Sequence, residues 1–125
     1  MKVIHFLYGR LNSIKPAING ILFTIKNEKN TWIHIIATIV AIVLIFVFNL
    51  NYIEILFFVS AIILVWIAEF FNTAIEYTLD FIHPEKHSTI KNIKDISAAG
   101  VLFSAIYALL VAIIITVTKI ITLIK

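Results

Sequence analysis

Apolar positions run almost unbroken along most of the chain, and polar residues return at helical intervals, so the pattern predicts helices throughout. Residues 31–49, "TWIHIIATIVAIVLIFVFN", form the first apolar run. After the short turn "NLN", a second helical pattern starts at Tyr52 and continues without Pro or Gly to residue 82, just before His83 and Pro84. A helix of about 31 residues spans roughly 46 Å, more than the roughly 30 Å of a bilayer core, so about ten residues at its end project into the interface. A third helix is expected over about 91–123, its apolar span beginning near Ala98, with Ser88 of the lead-in "STIKNIKDIS" as N-cap. Ahead of these runs, Ile4, Leu7, Leu11, Ile14, Ile18, Ile21 and Ile25 recur every three or four residues, while Lys2, Arg10, Lys15 and Lys26 fall mostly elsewhere. Residues 1–27 therefore read as an amphipathic region lying on a membrane surface, either two short helices or one kinked at Pro16 and Gly20. The expected fold is an all-α membrane protein of one domain, with three transmembrane helices and an N-terminal amphipathic surface helix.

Composition supports that class. Of 125 residues, 62% are hydrophobic, and the mean hydropathy is +1.06, far above an ordinary soluble protein. A net charge of +3 spread over a few lysines is no nucleic-acid surface, so nucleic acid is not an expected partner. The absence of cysteine excludes disulfides, thiolate zinc sites and cysteine nucleophiles. The N-terminus lacks the pattern of a cleaved signal peptide and is expected to be retained. Lys2, Arg10, Lys15, Lys26 and Lys29 precede the first run, Lys86, Lys91 and Lys94 lie between the second and third, and the turn at 49–52 has no basic residue. The positive-inside rule thus places the N-terminus and the 83–91 loop in the cytoplasm, and the C-terminus, with Lys119 and Lys125, outside.

The stretch "AEFFNTAIEYTLDF", residues 68–81, departs from the apolar pattern. Glu69, Asn72, Glu76 and Asp80 fall within about 80° of one helix face. Three carboxylates so placed repel one another and resist desolvation, so they need a cation, a basic group or water. Mg²⁺ is the economical partner, because it takes oxygen ligands, keeps waters and bridges carboxylates to nucleotide phosphates. Glu28 precedes the first run, and Lys94 and Asp95 precede the third, at the same boundary. Glu28, Glu69, Asn72, Glu76, Lys94 and Asp95 can therefore meet in one layer, and an acid placed there is a functional candidate. Against this, Glu69 could serve only a hydrogen bond between helices, Glu76 and Asp80 could be solvated surface charges, and Lys94 with Asp95 a solvated pair.

Other polar residues carry weaker signals. Glu54 reads as a hydrated helix-terminal charge, and His34 as a hydrogen-bonded packing residue rather than a ligand. His83 and His87 could suggest zinc, but Pro84 between them breaks the single face such a site needs. The three glycines form neither a P-loop nor a dinucleotide fingerprint. Phosphoryl transfer nevertheless demands little beyond metal, positive charge and an oriented hydroxyl. Lys94 can supply the point charge for phosphates, and Glu69, deepest in the membrane, can take the proton of a lipid hydroxyl.

The residues that carry these roles also carry a resemblance: "EKN" from Glu28 with His34 six residues on, "E-x-x-N-T-A-I-E" from Glu69 to Glu76, then Asp80, His87, and "K-D-x-x-A-A" from Lys94. Over nearly the whole chain this resembles the small bacterial integral-membrane diacylglycerol kinase family, most like its Gram-positive undecaprenol kinase branch. The resemblance implies a homotrimer in the bacterial cytoplasmic (inner) membrane, with sites between subunits, phosphorylating a lipid alcohol with MgATP. It implies Glu69 as proton acceptor, Glu28 and Glu76 as metal ligands, and nucleotide contacts from Glu28, Asn72, Glu76, Asp80, Glu85, Lys86, His87, Lys94 and Asp95. The lipid acceptor would lie at Glu69 and Ala98. His34 and Pro16 stand where the diacylglycerol-specific Gram-negative branch has an acidic and an aromatic residue.

The leading expectation is therefore an ATP-dependent lipid kinase acting on undecaprenol, or second on diacylglycerol. A membrane carrier of cations or protons is the alternative, yet Ser60 and Glu54 alone would continue its path outward from Glu69. A scaffold using the polar row only to order helix association is the third.

Overall fold

The computed structural model describes residues 2–124, with side chains from Ile14 to Ile124; the side chains of Lys2, Ile4, Leu7, Arg10, Leu11 and Lys125, named above, lie outside the described residues. Four helices follow one another: α1 (Lys2–Asn27), α2 (Thr31–Val47), α3 (Tyr52–Ile82) and α4 (Ser88–Ile124). No strand occurs among the described residues. Of the two forms expected for the N-terminal region, a single helix is present and passes through Pro16; a proline removes one hydrogen bond, and the turns on either side continue.

The segments Ile14–Asn27 and Thr31–Val47 meet at 107°. Threonines fix this corner. Thr24 and Thr31 are buried, and the Thr31 hydroxyl donates to the Thr24 carbonyl at 3.4 Å, while Thr24 bonds back to Gly20 O at 3.1 Å. Phe23 of α1 also meets the Tyr77 ring of α3 edge-on, with centroids 5.1 Å apart. α1 is thus tied to the C-terminal half of α3.

α2 ends at Val47, two residues before the expected boundary. Asn49 N–H reaches back to Phe46 O, and Asn49 takes φ 44°, a left-handed geometry that asparagine tolerates better than most residues. Asn51 then caps α3, accepting from the Ile53 and Glu54 N–H groups while the Glu54 carboxylate accepts from Asn51 N–H, a reciprocal box that satisfies otherwise orphaned donors. Glu54 does more than the hydrated terminal charge expected of it. It also pairs with Lys119 of α4 at 2.9 Å, joining the two longest helices at one end.

α4 starts at Ser88, three residues before the expected boundary. Ser88 is not its cap, because His87 holds that place: the Lys91 N–H bonds to His87 O, and the Thr89 N–H to His87 Nδ1 at 3.2 Å. An imidazole nitrogen here does the work usually left to a hydroxyl. α3 and α4 form the main packed pair, around Phe58, Ala61 and Val111, with Leu50 closing the end.

Very little apolar surface is buried inside the chain. Side chains such as Phe46, Phe71, Phe103 and Leu109 are exposed along whole helix faces, an arrangement that only a lipid environment or partner helices can satisfy. α3 and α4 are each long and apolar enough to cross a membrane. α2, with 17 residues, is about 25 Å long. The described residues therefore hold two to three candidate spans, and the molecule is an integral membrane protein.

Candidate functional site

Burial falls steadily along the polar row of α3. Glu69 is 3% exposed, Asn72 and Glu76 are half-buried, and Asp80 is exposed. The row therefore runs from an apolar interior to the open end of the helix. One carboxylate is placed where water does not reach it, and the others where a soluble molecule can.

Each group on the row has a partner, and for Glu69, Asn72 and Asp80 a partner comes from another helix. Glu69 Oε2 lies 3.2 Å from His34 Nε2 on α2, and an ionised carboxylate can only accept, so the ring N–H donates. This agrees with the reading of His34 as a hydrogen-bonded residue. Asn72 Nδ2 donates to Glu76 Oε1 at 3.0 Å, and Ser97 Oγ of α4 donates to Asn72 Oδ1 at 2.7 Å. Lys94 of α4 bonds to Asp80.

Glu28, half-buried in the corner between α1 and α2, joins the row from the side. Its carboxyl holds its proton above the usual glutamate range, first because of desolvation, then because the charges of Glu76 and Glu69 face it; a hydrogen bond from Tyr77 opposes the shift. Glu69 and Glu76 of α3 thus bear on Glu28 from a second element. A cation placed at this corner would relieve that repulsion.

Five of the nucleotide candidates, Asp80, Glu85, Lys86, His87 and Lys94, line with Lys91 one cavity of about 520 Å³ at the turn between α3 and α4, and Glu28, Asn72, Glu76 and Asp95 lie outside its lining. Its cationic and imidazole groups suit the phosphates of a nucleotide. A second cavity, of about 330 Å³, lies between α2, α3 and α4; His34 stands at its edge and its walls are mainly alanine and branched aliphatic side chains. His83 and His87 sit with ring centroids 5.7 Å apart, but no third acid or histidine completes a metal site with them among the described residues.

Two expected members stand apart within the chain. Lys94 does not pair with its neighbour Asp95, since adjacent helical residues point about 100° apart. Asp95 instead meets Lys91, one turn earlier, at 2.8 Å on the exposed surface. Ala98 is exposed on α4 and does not line the apolar cavity beside His34. Four residues that the sequence did not single out belong to the site: Ser97, Tyr77, Thr38 and Trp66. Ser97 carried a signal of a kind, being a hydroxyl three residues beyond Lys94 on the helix that faces α3. The others show none in sequence.

Among the described residues no three acids or histidines stand close enough to enclose a metal ion by themselves. Two half-buried carboxylates, Glu28 and Glu76, with only oxygen to offer and a mutual repulsion to relieve, fit Mg²⁺, which commonly completes its shell with water and phosphate oxygens. No curated protein matches the chain. The sequence model of the family described as "Prokaryotic diacylglycerol kinase" matches residues 15–116, a range that includes every candidate above.

Proposed function

Because the chain belongs to the prokaryotic diacylglycerol kinase family, a family of membrane lipid kinases, we propose that it transfers the γ-phosphate of MgATP to the hydroxyl of a membrane lipid alcohol, with undecaprenol preferred and diacylglycerol second. One observation carries the reading: the buried acid Glu69 shares a face of α3 with half-buried Glu76, the charges of both bear on half-buried Glu28 in the α1–α2 corner, and the turn after α3 holds a cavity lined by Lys86, Lys91 and Lys94.

In this reading Glu69 takes the proton from the acceptor hydroxyl as its oxygen attacks phosphorus in line with the departing ADP. Its burial keeps water from competing for the phosphoryl group. Glu28 and Glu76 would hold Mg²⁺, which neutralises charge on the phosphates when bound. Asn72 orients the Glu76 carboxylate, and Lys94 and Lys86, with His87 and Glu85, contact the nucleotide from the turn between α3 and α4. Asp80 steers Lys94, and Asp95 serves the nucleotide of a neighbouring subunit in a homotrimer with shared sites. Three helices cross the bacterial cytoplasmic membrane, the N-terminus and the 83–91 loop lie in the cytoplasm, and α1 rests on the inner surface. Ala98 borders the lipid where α4 enters the bilayer.

A carrier reading would need polar groups to continue outward from Glu69. The cavity on that side is walled by apolar residues beyond His34 and Thr38, which gives an ion no path.

The test is transfer of labelled γ-phosphate from ATP in detergent micelles, with undecaprenol and diacylglycerol offered in parallel. Labelling of undecaprenol ahead of diacylglycerol is expected. Labelling of neither lipid would refute the kinase reading.

A further inference from the structure

Glu69 is held by more than its own helix. On α2, the Thr38 hydroxyl lies one turn beyond His34 and donates its proton to the His34 carbonyl at 2.7 Å. Its lone pair accepts from the Trp66 indole N–H of α3 at 3.1 Å. A hydroxyl has one proton and two lone pairs, so both bonds form together. Trp66 lies three residues before Glu69 on α3, and its ring meets the His34 ring edge-on, with centroids 6.4 Å apart and planes at 64°. The imidazole is therefore placed by an aromatic ring on one side and a carboxylate on the other. The side chains of His34 and Glu69 are only 11% and 4% exposed, so water does not substitute for either bond.

From this geometry we infer that His34 is a positioning residue for Glu69: its Nε2–H fixes the Oε2 oxygen, and the Trp66–Thr38 bond fixes His34. With Oε2 occupied, the carboxylate plane is set and Oε1 is the oxygen presented to the acceptor hydroxyl. The inference rests on the proposed role of Glu69 as proton acceptor. It gives the three residues a division of labour. Glu69 meets the reacting group, His34 aims it, and Thr38 and Trp66 hold α2 and α3 in the register that the aim requires. A neutral imidazole suffices, because the bond needs one ring N–H and no net charge.

The test compares the full-length parent with His34→Ala, His34→Gln and Thr38→Val in micelles, measuring kcat, the KM for MgATP and MgATP binding by calorimetry. A positioned base contributes about a hundredfold or more to rate, so a base left unaimed in His34→Ala should lose at least about tenfold in kcat. The KM for MgATP should be unchanged, since His34 touches no nucleotide group. His34→Gln keeps an N–H donor and should recover most of the loss. Thr38→Val leaves His34 in place but frees it, and should lower kcat by roughly threefold, which reads the inference even where His34→Ala fails to fold. A kcat for folded His34→Ala within about twofold of the parent would overturn the inference, as would His34→Gln no better than His34→Ala, or Thr38→Val equal to the parent. A parent that binds MgATP but phosphorylates no lipid alcohol would instead remove the kinase reading, and the inference with it.

Discussion

Ser97 and Asn72 settle each other's orientation. An ionised Glu76 can only accept hydrogen bonds, so the Asn72 amide turns its Nδ2 toward it, at 3.0 Å. The Oδ1 end then faces Ser97, 2.7 Å away. Ser97 Oγ also lies 2.9 Å from Lys94 O, but its single proton serves Asn72 best, where the partner oxygen would otherwise be unmatched. Ser97 thus aims Asn72, and Asn72 aims a proposed metal ligand. Ser97→Ala should weaken MgATP by about fivefold, the equivalent of roughly 1 kcal/mol for one hydrogen bond, with a smaller change in kcat. Isothermal titration with MgATP reads this directly.

The Lys94–Asp80 pair separates stability from binding. Asp80 is well exposed, with 63% of its side chain open to solvent, and such pairs contribute less than about 1 kcal/mol. Asp80→Asn should therefore leave the thermal midpoint nearly unchanged. Lys94→Met should also unfold like the parent, yet lose MgATP affinity, because its ammonium is the charge proposed to meet phosphate. Melting curves with and without MgATP distinguish the two effects: nucleotide should raise the midpoint of Asp80→Asn and barely move that of Lys94→Met.

Glu28 predicts a pH dependence. Desolvation, with the charges of Glu76 and Glu69, holds its proton more tightly in the folded chain than in the unfolded one. Its contribution to folding is therefore fully present below the ordinary glutamate value of about 4.3 and is lost as pH rises through the higher folded value. In metal-free buffer, Glu28→Gln should flatten the melting midpoint against pH across that window and melt above the parent at neutral pH. Mg²⁺ should stabilise the parent more than the variant.

Glu69 stands apart from the metal pair by its depth and its bond to His34. Glu69→Ala should abolish phosphate transfer while leaving MgATP binding mostly intact, since no nucleotide contact is assigned to it alone. Equal loss of both in paired transfer and calorimetry measurements would show that its role is structural.

Much of the architecture could be read along the chain because each helix is bounded by local chemistry. His83 and Pro84 stop α3, and Asn51 with Glu54 starts it. The polar row was equally legible, since helical spacing alone places Glu69, Asn72, Glu76 and Asp80 on one face. The partners were not. Whether Lys94 turns to Asp80 or to Asp95, and whether His34 meets Glu69, depends on how each helix rotates about its own axis against its neighbours. That rotation is set by packing contacts such as Trp66 on Thr38 and Phe23 on Tyr77, which have no signature in sequence. The start of α4 was misplaced for a related reason: His87, a residue type rarely used as a cap, accepts the bond expected of Ser88.

The most direct measurement is the calorimetric affinity for ATP, with and without Mg²⁺, of the parent, Glu28→Gln and Glu76→Gln. If the acids of the α1–α2 corner and of α3 grip a magnesium-phosphate complex together, the parent should bind ATP far more tightly with Mg²⁺. Each substitution should remove most of that difference. Affinity for MgATP unchanged in both variants would contradict the account.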